Sequence, residues 1–69
     1  MELTQGAELT LLGFKDENDP VVKRVKSMGF REGKKVKLLR KCGRVYLFKL
    51  DNARVALDEE LVKRLRLAS

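Results

Sequence analysis

The sequence predicts a mainly β fold with one short helix, in which short strands form a curled sheet or small barrel. Apolar and polar residues alternate in several short segments, and only one longer segment has helical spacing. Five glycines and one proline divide the 69 residues into pieces too short for long elements. Closure of such a sheet removes exposed strand edges. The length corresponds to one domain, residues 1–69.

The first part of the chain predicts a strand followed by a helix. The apolar-rich segment from Ala7 to Phe14 has the alternation of a strand, with Leu9 and Leu11 on one face. Asp19 then caps a helix that begins at Pro20, because proline needs no hydrogen-bond donor in the first turn. The predicted apolar stripe of this helix has the spacing i, i+4, i+7: Val21, Val25 and Met28, with Val22 at its margin.

Gly29, Phe30 and Gly33 are interpreted as a structural motif. Gly29 stands where a left-handed helix cap belongs, and Phe30 is the apolar residue that folds back onto the last turn. Gly33 is placed for a positive φ in the following tight turn. A recognition loop is the alternative interpretation, but a helix end needs such a cap whatever the protein does.

The middle of the chain predicts a hairpin of two strands, Lys35 to Lys41 and Arg44 to Leu50. A two-residue loop at Cys42-Gly43 would pair Val36 with Lys49 and would mix polar and apolar residues on both faces. A three-residue loop at 41–43 instead pairs Leu38 with Tyr46 and separates the faces. The apolar face of the hairpin is then Val36, Leu38, Tyr46, Phe48 and Leu50.

The opposite face of the predicted hairpin has an apolar centre with a charged rim. Its members are Leu39, Val45, Leu47, Lys35, Lys37 and Lys49. Such a composition is typical of a protein interface, and we expect this face to bind a protein partner or a second copy of the chain. Packing under a loop or a chain terminus is the alternative.

The last part of the chain predicts two more strands around a helical turn. Asp51 and Asn52 form a turn before a strand from Ala53 to Leu57. Acidic residues 58–60 suit the start of a short helix, and residues 65–67 alternate as a closing strand does. The predicted element order is therefore β-α-β-β-β-(helical turn)-β. The predicted core includes Val25, Met28, Val36, Leu38, Phe48 and Val55.

Composition favours a binding module over an enzyme. The chain has no histidine, the commonest general base, and its single cysteine, Cys42, cannot form an internal disulfide. We therefore expect a cytoplasmic protein, with no bound cofactor and no specific metal site. Neither a signal peptide nor a membrane-spanning apolar run is predicted. Two acidic clusters, 16–19 and 58–60, are better explained by loop solvation and helix-end charge than by metal binding.

The basic charge raises nucleic-acid binding as an alternative function. The formal net charge is +6 and the pI is about 9.8. In the predicted register, however, Tyr46 and Phe48 point into the core, so the basic face lacks rings on which bases stack. Nucleic-acid binding is therefore disfavoured relative to a protein contact.

Four motifs in a fixed order resemble the FeoA family, the small ferrous iron transport protein A. They are Leu3 with Gly6, the segment Arg24 to Phe30, Glu32-Gly33-x-x-Val36, and Val55-Ala56-Leu57 followed by Glu60-Leu61. The resemblance implies a Src-homology-3-like (SH3-like) small barrel. It also implies an accessory role for the membrane ferrous-iron transporter, FeoB, from the cytoplasmic side. Related regulatory domains of metal-dependent repressors are a further alternative.

Two features depart from the family pattern. Glu32 stands where the family usually has proline, and the hairpin loop around Cys42 is shorter than the usual proline-bearing loop. A partner contact made by that loop in relatives is not expected to carry over to this chain.

Overall fold

The computed structural model describes residues 5–69, which form five strands and two helices. In chain order the elements are β1 (Glu8–Phe14), α1 (Pro20–Ser27), β2 (Lys35–Cys42), β3 (Val45–Leu50), β4 (Ala53–Asp58), α2 (Glu59–Val62) and β5 (Leu65–Ala68). The predicted element order is confirmed. Leu3, the first residue of the opening motif, lies outside the described residues.

All five strands belong to one antiparallel sheet with the order β4-β3-β2-β1-β5. The closing strand β5 pairs with the first strand, so that Leu11 stands opposite Leu67 and Phe14 opposite Leu65. This mainly β domain with its short helices is consistent with the SH3-like small barrel that the resemblance implied.

The core lies on one side of the sheet, where the strands and both helices contribute apolar side chains. Phe30 and Phe48 are fully buried and meet edge to face, with ring centroids 6.2 Å apart. The buried apolar residues are Leu9, Leu11, Phe14, Val22, Val25, Phe30, Val36, Leu38, Phe48, Leu50, Leu57, Val62, Leu65 and Leu67. Of the six predicted core residues, four are buried, and a fifth, Val55, is half-buried and packs against the cluster.

The sixth predicted core residue, Met28, is 39% exposed, and the predicted helix stripe is wrong in this respect. The buried side of helix α1 is centred on Val22 and Val25, which places the C-cap residue Met28 at the margin of this side. Val22 is completely buried with Val25, whereas Val21, predicted in the stripe, is half-buried. The fully buried Phe30 enters the core just beyond the helix end.

The hairpin register also differs from the prediction. The loop is the two-residue turn 43–44, and Gly43 has φ +60, as the first position of such a turn can require. Leu39 is an extra residue in a β-bulge, beyond which Leu38 pairs with Phe48 rather than with Tyr46. On the core side of the bulge the register differs by two residues, and a slip by an even number leaves these side chains on their predicted faces. Between the bulge and the turn it differs by three, so that Arg40 stands opposite Leu47 of the outer face.

Candidate protein-binding face

The outer face is defined here as the solvent side of β2, β3 and β4, opposite the core. Alternation along each strand determines its members, because successive side chains point to opposite sides of a sheet. Val36 and Leu38 are buried, so the lysines that flank Val36 face outwards. The same alternation about the buried Phe48 and Leu57 sends the neighbouring residues of β3 and β4 to the outer face.

The three apolar residues predicted for this face lie together on the sheet. The bulge places Leu39 and Arg40 opposite Leu47, and Val45 lies two residues before Leu47 on the same strand. Leu39 and Leu47 are half-buried, and within residues 5–69 neither belongs to the core cluster or to the residues packed against it. Val45 is 42% exposed. The sheet thus carries an apolar patch that does not serve the core.

The predicted lysines border this patch, and two of them face each other. Lys37 is directly opposite Lys49, and Lys35 is exposed two residues before Lys37 on the same strand. Lys49 is in turn directly opposite Arg54 on β4, which sequence reasoning did not include. The signal was available, because a two-residue turn at 51–52 fixes the Lys49–Arg54 pairing by symmetry.

Ion pairing does not neutralise this group of cations among the described residues. The salt bridges between described residues involve other cations: Lys26, Lys34, Arg44, Lys63 and Arg64. Glu8 stands opposite Lys37 at the far end of the same cross-strand row, and this pair is not among those salt bridges. The outer face therefore presents positive charge to solvent.

The motif Gly29, Phe30 and Gly33 lies on the core side and in turns. Gly29 has φ +105, and its N–H donates to the carbonyl of Lys26 at the helix end. Gly33 has φ +88, and its N–H donates to the carbonyl of Leu11, which ties the turn to β1. The structure gives these residues conformational and packing roles, and none of them lies on the outer face.

The two acidic clusters are engaged in local structure. Asp19 accepts hydrogen bonds from the N–H of Val21 and from Nε of Arg64, at 2.8 and 2.7 Å. These bonds, chiefly the one from Arg64, hold the pKa of the Asp19 carboxyl below its usual value. Asp58 likewise caps α2, accepting from the N–H of Glu60 at 2.9 Å.

Within residues 5–69, no three His, Cys, Asp or Glu side chains come together in a way that could hold a metal ion. Cys42 is a free, exposed thiol in the last position of β2 rather than in the turn itself. A single thiolate offers one ligand, whereas protein zinc sites use three or four.

Comparison with known families decides the identity of the domain. A family model described as the FeoA domain matches residues 1–68. The chain belongs to the FeoA family. Membership places the protein in ferrous iron transport, and FeoA domains are small transport-associated accessory domains rather than a known enzyme family. A search of curated proteins found no relative that matches the chain. None of the helices between residues 5 and 69 is long and apolar enough to cross a bilayer.

Proposed function

We propose that this FeoA-family protein is a cytoplasmic accessory protein that binds the cytoplasmic part of the ferrous-iron transporter FeoB through its outer face. The observation that carries the proposal is the apolar patch of Leu39, Val45 and Leu47, which lies outside the core. A domain of this size has few apolar residues for its interior, so three that lie outside the core of the described residues need another reason. A protein partner that covers them supplies it.

The patch and its rim contribute differently to such a contact. Burial of Leu47 and its apolar neighbours removes nonpolar surface from water and provides most of the affinity. The lysines attract an acidic partner and speed encounter, with little net gain in affinity from each rim charge. The protein then regulates transport by binding, without chemistry of its own.

The nucleic-acid alternative has weaker support from the geometry. Tyr46 and Phe48 stack on each other on the core side, with centroids 6.3 Å apart, so the outer face offers no ring from these two residues. Salt dependence separates the two functions, because the affinity for phosphates falls steeply as salt rises. Transporter binding through an apolar patch should change far less between low and moderate salt.

The test compares Leu47→Ser with Lys49→Ser in binding to the purified cytoplasmic part of the transporter. We expect Leu47→Ser to weaken binding about tenfold or more, and Lys49→Ser to weaken it only about two- to threefold. Leu12→Ser is the matched control, because Leu12 is 54% exposed and lies outside the hairpin. Circular dichroism checks folding, and analytical ultracentrifugation shows whether a second copy uses the same face.

Two results would contradict the proposal. Loss of binding with Lys49→Ser but not with Leu47→Ser would make the contact electrostatic. Equal effects of Leu47→Ser and Leu12→Ser would place the binding surface elsewhere on the domain.

A further inference from the structure

Three cations form a straight row across the outer face. Lys37, Lys49 and Arg54 occupy directly paired positions on β2, β3 and β4, and all three side chains are exposed. Neighbouring strands lie about 4.8 Å apart, so the row places three positive charges along about 10 Å of surface. Like charges directly opposite each other destabilise a sheet, and this row contains two such pairs.

The fold does not account for the row. Among the described residues, its members take part in no salt bridge, and only one acidic residue, Glu8, stands in line with them at the β1 end. Solvation of the sheet would be served as well by threonine or by alternating charges. A row of like charges lowers the stability of the free protein. Its presence therefore indicates that a ligand of opposite charge binds there.

An apolar row runs beside the cationic one. Leu47 is paired with Ala56 on β4 and with the exposed Arg40 on β2, where the bulge holds Leu39 beside Arg40. The two rows are one outward step apart along the strands, about 7 Å. The face therefore presents two parallel stripes that cross the strands: one is cationic, and the other is apolar with Arg40 at its β2 end.

We propose that the stripes bind an acidic amphipathic helix of the protein partner, lying across the strands with its carboxylates over Lys37, Lys49 and Arg54. This inference rests on the proposed function, because it takes the outer face as the contact surface. Acidic residues at i, i+4 and i+7 of a helix span about 10 Å, which matches the length of the cationic row. Leucines on the adjoining helix stripe then meet Leu39 and Leu47.

An acidic helix fits the face better than two other anionic ligands do, an extended peptide and a lipid surface. Same-face side chains of an extended segment recur about every 7 Å, which is longer than the spacing of the cations. An anionic bilayer attracts basic residues wherever they lie on a protein surface. Binding to a bilayer therefore does not require an ordered cationic row beside an apolar row. The rows therefore favour a helix over a strand or a lipid surface.

The probe is a synthetic helical peptide of about 20 residues, long enough to be partly helical in water, with glutamates along one stripe and leucines along the next. A second peptide has the same composition with two central prolines, which prevent the helix. A third has lysines in place of the glutamates. Binding to the full chain is measured by fluorescence anisotropy at one fixed salt concentration.

We expect the acidic helix to bind at least tenfold more tightly than the proline peptide. Lys49→Glu should weaken binding of the acidic helix tenfold or more, because it replaces an attraction at the centre of the row by a repulsion. It should strengthen binding of the lysine peptide, because it replaces a repulsion at the same position by an attraction. Lys23→Glu is the matched control with the same change of net charge. It lies on α1, which packs on the core side of the sheet, and it should change neither affinity more than about twofold.

Equal binding of the helical and proline peptides would overturn the inference, and so would equal effects of Lys49→Glu and Lys23→Glu. A third contradicting outcome is that vesicles with anionic lipid bind more tightly than the acidic peptide and depend on Lys49 to the same extent. The transporter assay is read separately. Loss of binding with Leu47→Ser but not with Lys49→Glu would reject the helix and keep the proposed function. No binding of the unmodified protein to the transporter would reject the proposed function itself.

Discussion

The two faces of the β2–β3 hairpin share the same backbone and the same register but have opposite character. On the inner face, Leu38 lies opposite Phe48 and both are almost completely buried. On the outer face one step away, Lys37 lies opposite Lys49 and both are exposed. The first pair gains free energy from packing, whereas the second loses some to repulsion. The inner face explains why the domain folds, and the outer face is the part that folding does not explain.

The largest expected effect separates two neighbouring leucines. Leu38→Ala should reduce the free energy of unfolding by about 2–5 kcal/mol, because it removes a buried side chain and leaves a cavity. Leu39→Ala should cost less than about 1 kcal/mol, because Leu39 is half-buried and outside the core cluster. Urea denaturation of both variants is the measurement. Equal losses would show that the two faces are not distinct.

Faces could be predicted from sequence more reliably than register. Alternation of apolar residues about Val36 and Phe48 determines which side chains point inwards, and this prediction is confirmed. Register depended on the loop at 41–43, and the prediction was wrong because the actual turn is 43–44 and a bulge follows at Leu39. A bulge depends on local backbone geometry and has no residue pattern that would reveal it in one sequence.

The candidate site was therefore predicted residue by residue but not as an arrangement. Leu39, Leu47 and the lysines were assigned to the outer face from parity alone. The pairs of residues that stand opposite each other depend on the true register. The alignment of Lys37 with Lys49 is therefore seen only in the structure. The prediction for Met28 was wrong for a different reason, because the buried side of α1 is centred on Val22 and Val25 rather than on Val21 and Val25.

A second pair of substitutions tests how tightly the inner face is packed at its rim. Gly29 and Gly33 both have positive φ, but a Cβ on Gly29 would lie 3.1 Å from Cδ2 of the inner-face residue Leu50, whereas a Cβ on Gly33 meets open space. Backbone strain at a positive φ destabilises both alanine variants by about 1–2 kcal/mol. We expect Gly29→Ala to lose more stability in thermal unfolding than Gly33→Ala. A loss at Gly29 no larger than that at Gly33 would mean that Leu50 moves aside easily for the added methyl group.

A third prediction contrasts the opposite charges near the core with the like charges outside. Arg64 donates to Asp19, which also caps α1, and the side chains are 32% and 21% exposed. Because the pKa of Asp19 is lowered in the folded protein, the ionised carboxylate stabilises the fold above its unfolded pKa of about 3.9, and this contribution is lost as pH falls through the folded pKa. Asp19→Asn keeps a capping side chain but has no charge.

The unmodified protein should therefore be more stable than Asp19→Asn at pH 7, and the difference should shrink below about pH 4. Thermal unfolding across pH 2–7 is the measurement, with Asp58→Asn at the other helix cap as the control for the chemical change. A difference between the unmodified protein and Asp19→Asn that does not vary with pH would show that the Arg64 contact does not depend on the charge.

The smallest expected effect is a gain, and it tests the outer face directly. Lys49→Thr removes both like-charge pairs of the cationic row and introduces a residue that suits a strand. The free energy of unfolding should rise by about 0.2–1 kcal/mol at low salt, and the gain should largely disappear near 1 M salt, where the screening length is about 3 Å. Lys35→Thr is the matched control, because Lys35 is exposed on the same face but stands opposite Thr10. Lys35→Thr should not raise stability in this way, since the residue opposite Lys35 on β1 carries no like charge. If Lys49→Thr instead lowers stability at low salt, or if its gain is unaffected by salt, the cationic row does not destabilise the free protein by charge repulsion. The contrast between a face selected for folding and a face selected for binding would then lose its energetic basis.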